Sequence, residues 1–279
     1  MDFRDVQLIL NKLDLKPKKH LGQNFITDVN IVNKIISISD ISENDIILEI
    51  GPGLGGLTEF LIEKVKKVVA IEIDPKLSKY LLEKFSICDN IEIINGDILE
   101  IEIPFHNKVI SNIPYKITGP ILEKVFFNKN PPHGILTVEQ NIATRIFYIN
   151  NYKNFSRISI GINSFMKPIS NYKIPRSSFY PIPKIDLALI KIIPKEKIDP
   201  ILHEKGSRDF YLDLIAGIMA YKNKNIVNAL YLYFKANNLS YSKENILKIL
   251  RENDFEDKKL FNHEIDEFIE LSKVLSSCL

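Results

Sequence analysis

An α/β body with a seven-stranded, mostly parallel sheet, followed by a small all-α C-terminal domain, is the fold class this sequence predicts. Three observations predict it. From Asp45 to about Ile193, short apolar runs alternate with helical stretches, the signature of βαβ units around a parallel sheet. Beyond Pro194–Pro200, where proline and charge interrupt the pattern, every apolar period is helical. The 279 residues, 45% of them hydrophobic, suffice for one large core and a smaller one.

The elements follow in order. Phe3, Val6, Leu10 and Leu13 recur at helical spacing with Arg4, Asp5 and Lys12 between them, so the start reads as an amphipathic helix and not as a targeting signal. A basic stretch, Lys16-Pro17-Lys18-Lys19-His20, leads to Leu21-Gly22-Gln23-Asn24-Phe25. A helix capped by Asp28 then runs through Ile31, Ile35 and Ile38. The candidate strands are Ile46–Ile50, Val68–Ile73, Ile91–Ile94, Lys108–Ser111, Gly134–Val138, Ile169–Ile174 and Leu187–Ile193. Leu57–Val65, Lys76–Phe85 and Ile117–Phe127 carry helical pattern between strands. The last two strands are close in sequence and predict an antiparallel pair at one edge. Phe210–Tyr221, Ile226–Phe234, Ser242–Leu250 and Glu264–Leu275 read as helices, which divides the chain into residues 1–194 and 195–279.

Composition excludes several classes. The apolar content rules out disorder as the main state. No apolar run approaches the roughly 20 residues of a membrane span. Two cysteines, Cys88 and Cys278, cannot form a disulfide framework and fit a reducing, cytoplasmic setting. With 37 Lys+Arg against 35 Asp+Glu the net charge is +2 and the pI about 8.3, below the value of roughly 9 usual for a dedicated nucleic-acid module. The average conceals a distribution. Between Lys173 and Lys197 six basic residues face Asp186 and Glu196, whereas Glu252–Glu270 is acidic.

The strongest local signal is Glu49-Ile50-Gly51-Pro52-Gly53-Leu54-Gly55-Gly56, at the end of the first buried strand and the start of a helix. Glycines there let the backbone turn tightly and approach a ligand, and the helix start offers free N–H donors. Taken alone, this pattern also fits a plain βα turn. No Lys-Ser/Thr pair follows, so it is no P-loop. Glu72, 23 residues beyond Glu49, ends the next strand where a Rossmann-like fold sets a carboxylate on ribose hydroxyls. Asp97 ends the third strand and Asn112-Ile113-Pro114-Tyr115 the fourth. Four successive strand ends thus deliver polar groups to one edge of the sheet.

This set resembles S-adenosylmethionine-dependent methyltransferases acting on adenine amines, with a Rossmann-like class I fold. More narrowly the chain is similar to the ribosomal RNA adenine N6,N6-dimethyltransferase family. Leu21-Gly22-Gln23-Asn24-Phe25 matches its N-terminal motif, and Phe179-Tyr180-Pro181-Ile182-Pro183-Lys184-Ile185-Asp186 its motif before the last strand. Ile103-Pro104, Asn107-Lys108-Val109 and Lys222–Leu230 look most like archaeal-type members. Two departures stand out: Gln140-Asn141-Ile142-Ala143-Thr144-Arg145 lacks charges common at that point, and Leu187 replaces a usual serine.

The resemblance implies S-adenosylmethionine as cofactor, no metal, and small-subunit ribosomal RNA as partner. The product would be dimethylated N6 of two adjacent adenines in the 3′-terminal hairpin loop, formed by a monomer during small-subunit biogenesis. Asn24, Ile26 and Gly51 would wrap the methionine end, with Glu49, Gly53 and Gly55 beside them. Glu72 would hold the ribose and Asp97 with Ile98 the adenine, and Ile73 and Asn112 would also contact the cofactor. Residues 1–27 become a cofactor- and RNA-contacting segment of the methyltransferase domain.

An adenine N6 amine is a poor nucleophile, because its lone pair is delocalised into the ring. The Asn112 side-chain oxygen and the Pro114 carbonyl can each accept an N6–H bond, aligning the nitrogen and favouring the charge that develops on it. The base must leave its stack, and Tyr115 offers it an aromatic face. By resemblance Phe179 stacks on the other face, although ordinary core packing stays open for Phe179. Lys18, Lys19, Arg176, Lys184, Lys222 and Lys224 are candidate phosphate contacts, which position RNA without reading it. The competing readings are a large-subunit methylase conferring antibiotic resistance, a non-catalytic RNA-binding assembly or transcription factor of the same fold, and a dinucleotide oxidoreductase. The last leaves Asn112-x-Pro114-Tyr115 without a use.

Overall fold

Seven strands form the sheet in a computed structural model of the chain that describes residues 1–147 and 153–278, the Lys19 side chain excepted. The first unit comprises Met1–Phe126, Asn130–Ala143 and Lys167–Pro194. It opens with α1 (Phe3–Lys12), capped by Asp2, then β1 (Phe25–Ile26) and α2 (Val29–Ile38). Asp28 caps α2 as the sequence predicts, accepting from Asn30 N at 2.9 Å. There follow β2 (Ile46–Ile50), α3 (Thr58–Ile62), β3 (Lys67–Glu72), α4 (Pro75–Lys84), β4 (Ile91–Asn95), β5 (Lys108–Asn112), α5 (Thr118–Phe126), β6 (His133–Glu139) and α6 (Gln140–Ile146). After α7 (Arg157–Phe165) come β7 (Met166–Ile174), β8 (Phe179–Tyr180) and β9 (Leu187–Pro194).

The sheet order is β4-β3-β2-β5-β6-β9-β7. Strands β4, β3, β2, β5 and β6 pair in parallel, and β9 runs antiparallel to β6. The last two strands are neighbours at one edge, as their spacing predicts. From β2 the chain first winds outward through β3 and β4, then returns to place β5 on the opposite side. That reversal beside β2 is the point where α/β sheets open a ligand crevice outside their strand ends. The buried faces of β2 and β3 pack with α2 and α3 in a core containing Val32, Ile35, Ile47, Leu61, Val68 and Ala70. Helix α3 is shorter than the predicted Leu57–Val65, because the chain turns at Lys64 and both Lys66 N and Lys67 N donate to Asp45 O.

The two-residue strands β1 and β8 were too short to show periodicity. They pair antiparallel, Phe25 opposite Tyr180 and Ile26 opposite Phe179, and join two motifs more than 150 residues apart.

The second unit contains Phe127–Lys129, Thr144–Met166 and Lys195–Leu279. Its C-terminal part is helical: α8 (Lys205–Met219), α9 (Ile226–Ala236), α10 (Lys243–Glu252) and α11 (Ile265–Cys278). One division between the units falls at Pro194/Lys195, but Phe127–Lys129 and Thr144–Met166, which the sequence reading puts in the first domain, group with this unit. The cause is packing of α7: Ser164 and Tyr211 hydroxyls lie 2.7 Å apart, Phe165 stacks on Phe127, and Phe155 meets Phe268. Helix α8 starts five residues before the predicted Phe210, because its exposed first turn carries no apolar signal. Among the described residues no helix is long and apolar enough to cross a membrane.

Candidate active site

The strand ends of β2, β3, β4 and β5 border two adjoining cavities of about 70 and 210 Å³, which share Leu21, Gly51, Ile73 and Pro114 in their linings. The smaller is lined also by Asn24, Ile26, Glu49, Gly53, Glu72 and Asn112. The larger, more apolar one takes Ile50, Ile71, Asp97, Ile98, Lys116 and Ile117. Of the residues predicted for a cofactor, only Gly55 lines neither cavity. It shapes the Gly51–Gly56 loop instead, where a Cβ would lie 2.9 Å from the Phe85 ring.

That loop requires glycine. Gly51, Gly53 and Gly55 have φ of 69°, 62° and 75°, the left-handed region that L side chains rarely adopt. A Cβ on Gly53 would also lie 2.9 Å from the Phe25 ring. The resulting turn aims the Gly53 amide at Glu72, whose Oε2 accepts it at 3.1 Å, while Oε1 accepts Asp74 N at 2.9 Å. Each Glu72 oxygen keeps a lone pair for a further donor. Burial pushes the Glu72 carboxyl up, and the two amides oppose that shift.

Glu49 is more deeply enclosed, 2% exposed, with Thr58 Oγ1 donating to its Oε2 at 2.7 Å. Burial, with the nearby Glu72 charge adding to it, raises its pKa to about 8. Burial thus favours the neutral acid at Glu49, and a cation in the cavity would favour the carboxylate. Two buried carboxyl groups facing one cavity fit a cationic ligand that also carries a diol. The apolar second cavity fits a flat base, with Asp97 at its wall to accept from an exocyclic amine. Asp97 is fixed there by Leu99 N, which donates to its Oδ1 at 2.8 Å. These features fit S-adenosylmethionine, whose sulfonium and ammonium are cationic and whose nucleoside end is a ribose and an adenine.

Asn112 ends β5 with its side-chain amide held at both ends. Its Nδ2 donates to Asn24 O at 2.9 Å, and Tyr115 OH donates to its Oδ1 at 3.1 Å. Oδ1 retains one lone pair. The Pro114 carbonyl accepts Ile117 N at 3.2 Å; Thr118 Oγ1 also lies 3.4 Å from it, but its single proton has the closer partner in Tyr115 O at 3.0 Å, so Pro114 O can accept a further donor. Burial pushes the Tyr115 phenol well up, so it stays protonated and donates.

The two residues expected to stack on the base are buried, and neither lines the two cavities. Tyr115 is 8% and Phe179 1% exposed, and both pack in the sheet core with Val32 and Ile35. The Tyr115 hydroxyl is engaged on Asn112 Oδ1 at 3.1 Å. Phe179 is held by the β1–β8 pairing, which fits the packing reading left open for it.

The predicted phosphate contacts also divide. Lys18 Nζ lies 2.8 Å from Asp74 Oδ2, a carboxylate with no exposed side-chain surface. Lys222 Nζ donates to Phe155 O at 2.9 Å within the second unit. Both ammonium groups thus have protein partners that charge counting could not reveal. Arg176 pairs loosely with Asp186 at 3.6 Å, and Lys184 and Lys224 are exposed. The side chain of Lys19 lies outside the described residues.

Sequence reasoning missed Thr58, Gln23 and Asp74. Asp74-Pro75 is a recognisable helix start, and Asp74 Oδ1 does accept Lys76 N at 3.0 Å. Its second role is tertiary: Gln23 Nε2 donates to Oδ2 at 3.1 Å.

Comparison with known proteins agrees with this geometry. A family model described as ribosomal RNA adenine dimethylase matches residues 14–272. A ribosomal RNA small subunit methyltransferase A of Fusobacterium nucleatum is 37% identical over 269 residues, covering 94% of this chain and 98% of its own. A probable ribosomal RNA small subunit methyltransferase A of the archaeon Methanococcoides burtonii is 35% identical, covering 97% of both chains. Among solved structures, a dimethyladenosine transferase from Plasmodium falciparum superposes with a TM-score of 0.73 at 26% identity, over 88% of this chain and 95% of that one. The 23S rRNA methyltransferase ErmE shares the fold, with a TM-score of 0.62 at 23% identity over 90% of this chain and 99% of its own. With its strand-end carboxylates, glycine loop and clamped Asn112, this chain belongs to the ribosomal RNA adenine dimethylase family.

Proposed function

We propose that this enzyme transfers methyl groups from S-adenosylmethionine to N6 of two adjacent adenines in the 3′-terminal hairpin loop of small-subunit ribosomal RNA. The observation that carries the reading is the Asn112 amide, fixed by Asn24 O and Tyr115 OH on the wall of a cavity built for a cationic nucleoside. The names of the most similar relatives support the small-subunit substrate.

The cofactor, when bound, supplies a methyl group already activated on sulfonium. Glu72 accepts from the ribose hydroxyls, Asp97 from the adenine amine, and Ile98 covers the base. Asn112 Oδ1 and the Pro114 carbonyl accept the two N6–H bonds of the target. With the cofactor bound, a C–N bond would form to this nitrogen as the C–S bond breaks, leaving the thioether product, and the amine would shed one proton to water. Acceptors fixed before the reaction lower its barrier, because they need no reorganisation as positive charge develops. A second round requires the remaining N6–H to find one of the same two acceptors.

Arg176, Lys184 and Lys224 are the phosphate contacts we retain, joined by Lys19. Free Cys88 and Cys278 fit the reducing compartment of the cytoplasm, and the proposal places the protein there as a monomer acting on a pre-ribosomal particle. The test is to incubate the protein with labelled S-adenosylmethionine and undermethylated small or large ribosomal subunits, then map the product. Dimethyladenine confined to the small-subunit RNA is expected. Label on the large subunit, or RNA binding without transfer, contradicts the proposal.

A further inference from the structure

The segment 18–26 covers the cofactor cavity with little regular structure of its own. It has one 3₁₀ turn at Lys19–Leu21 and the two residues of β1, yet it contributes Leu21, Gly22, Gln23, Asn24, Phe25 and Ile26 to the cavity lining. Something else must hold it. At its far end the β1–β8 pairing does so. At its near end a closed ring of bonds meets at Asp74. Lys18 Nζ lies 2.8 Å and Gln23 Nε2 3.1 Å from Asp74 Oδ2, while Gln23 Oε1 accepts Lys18 N at 2.8 Å. Asp74 is 1% exposed, and the hydrogen bonds from Lys18, Gln23 and Lys76 N hold its carboxyl below the usual range against its burial. Its own amide holds Glu72 Oε1.

We propose that Asp74, Lys18 and Gln23 form a clasp that closes segment 18–26 over the cofactor and thereby positions the Asn24 carbonyl that orients the Asn112 amide. Asp74 and Gln23 are then positioning residues for methyl transfer, and Lys18 belongs to the clasp and not to the RNA face. Gln23 adjoins Asn24, so loosening the ring displaces the one acceptor that fixes Asn112 Nδ2. A buried carboxylate that loses either donor is also left with unmet charge, so the three groups act as a unit. The proposal rests on Asn112 as the acceptor for the target amine.

Three variants test it: Lys18→Met, Gln23→Ala and Asp74→Ser, the last keeping a helix-capping hydroxyl for α4. Each is compared with the parent protein by calorimetric S-adenosylmethionine binding without RNA, by amide hydrogen exchange of residues 21–26, and by steady-state transfer to undermethylated small subunits. The expected result is weaker cofactor binding, faster exchange in that segment, and kcat lowered by about 10- to 100-fold, the scale of a misplaced catalytic group, with KM for the subunit unchanged. The proposal is overturned if Lys18→Met raises KM for the subunit and leaves cofactor binding and exchange as they were, since Lys18 is then an RNA contact. Unchanged exchange and cofactor affinity in Gln23→Ala and Asp74→Ser overturn it as well. If Asn112→Ala retains transfer, the Asn112 reading fails separately, while exchange and cofactor affinity still report on the clasp.

Discussion

The strand ends of the sheet and the basic stretches of the surface were read with the same sequence, and the structure treated them differently. Glu49, Glu72, Asp97 and Asn112 reach the two cavities as their spacing predicts. Of the basic residues, Lys18 and Lys222 are bonded to protein groups, whereas Lys184 and Lys224 are exposed. The difference is one of degrees of freedom. A residue at the end of a parallel strand is placed by backbone register, which the apolar pattern reveals. A lysine ends on a flexible four-carbon stem, and its partner is chosen by tertiary neighbours such as Asp74 and Phe155 O.

The first way to break this comparison is Glu72→Ala. If register has delivered a ribose-binding carboxylate, cofactor affinity falls about 10- to 150-fold, the worth of about 1.5–3 kcal/mol for hydrogen bonds to a charged group. Calorimetry reads it directly, and an unchanged affinity removes Glu72 from the site.

Glu49 sharpens it through pH. Its ordinary pKa of 4.5 rises to about 8 in the folded protein, so the native state keeps a proton that the unfolded chain has released between these values. Its contribution to stability therefore falls as pH rises from about 4.5 to 8. The melting temperature of the parent protein, taken relative to Glu49→Gln, should decline across that window. A difference independent of pH contradicts the buried, protonated state.

Tyr115→Phe separates hydroxyl from ring. Losing the donor to Asn112 Oδ1 should lower kcat about 2- to 12-fold, the range of one ordinary hydrogen bond at about 0.5–1.5 kcal/mol, with substrate KM little changed. A full rate in Tyr115→Phe with a large loss in Tyr115→Ala restores the stacking role.

The smallest effects belong to the surface. Lys184→Ala and Lys224→Ala should each reduce the salt slope of RNA binding by about 1. Lys222→Met should instead lower the melting temperature and leave the slope alone.

How much was legible follows from the same physics. All seven sheet strands were readable, most from short apolar runs bounded by turn residues, whereas β7 carries only scattered apolar residues and starts three residues before the predicted Ile169; the cap at Asp28 has its own side-chain signal. The β1–β8 pair, the transfer of residues 144–166 to the helical unit, and the clasp at Asp74 were not. Each depends on groups distant in sequence meeting in space: Phe25 with Tyr180, Ser164 with Tyr211, and Lys18 with Asp74. Tyr115 shows the same limit within four residues. Its motif was legible, but its burial in the core and the bond from its hydroxyl to Asn112 were not.

The central claim is that the clamped Asn112 amide accepts the target amine and does not hold the cofactor as a main contact. Asn112→Ala tests it most directly, in single-turnover transfer to undermethylated small subunits alongside calorimetric cofactor binding. The account predicts a rate lowered about 100- to 1,000-fold, as for loss of one preorganised group in an active site, with cofactor affinity within a few-fold of the parent. A parent-like rate, or a loss explained wholly by failure to bind the cofactor, would contradict it.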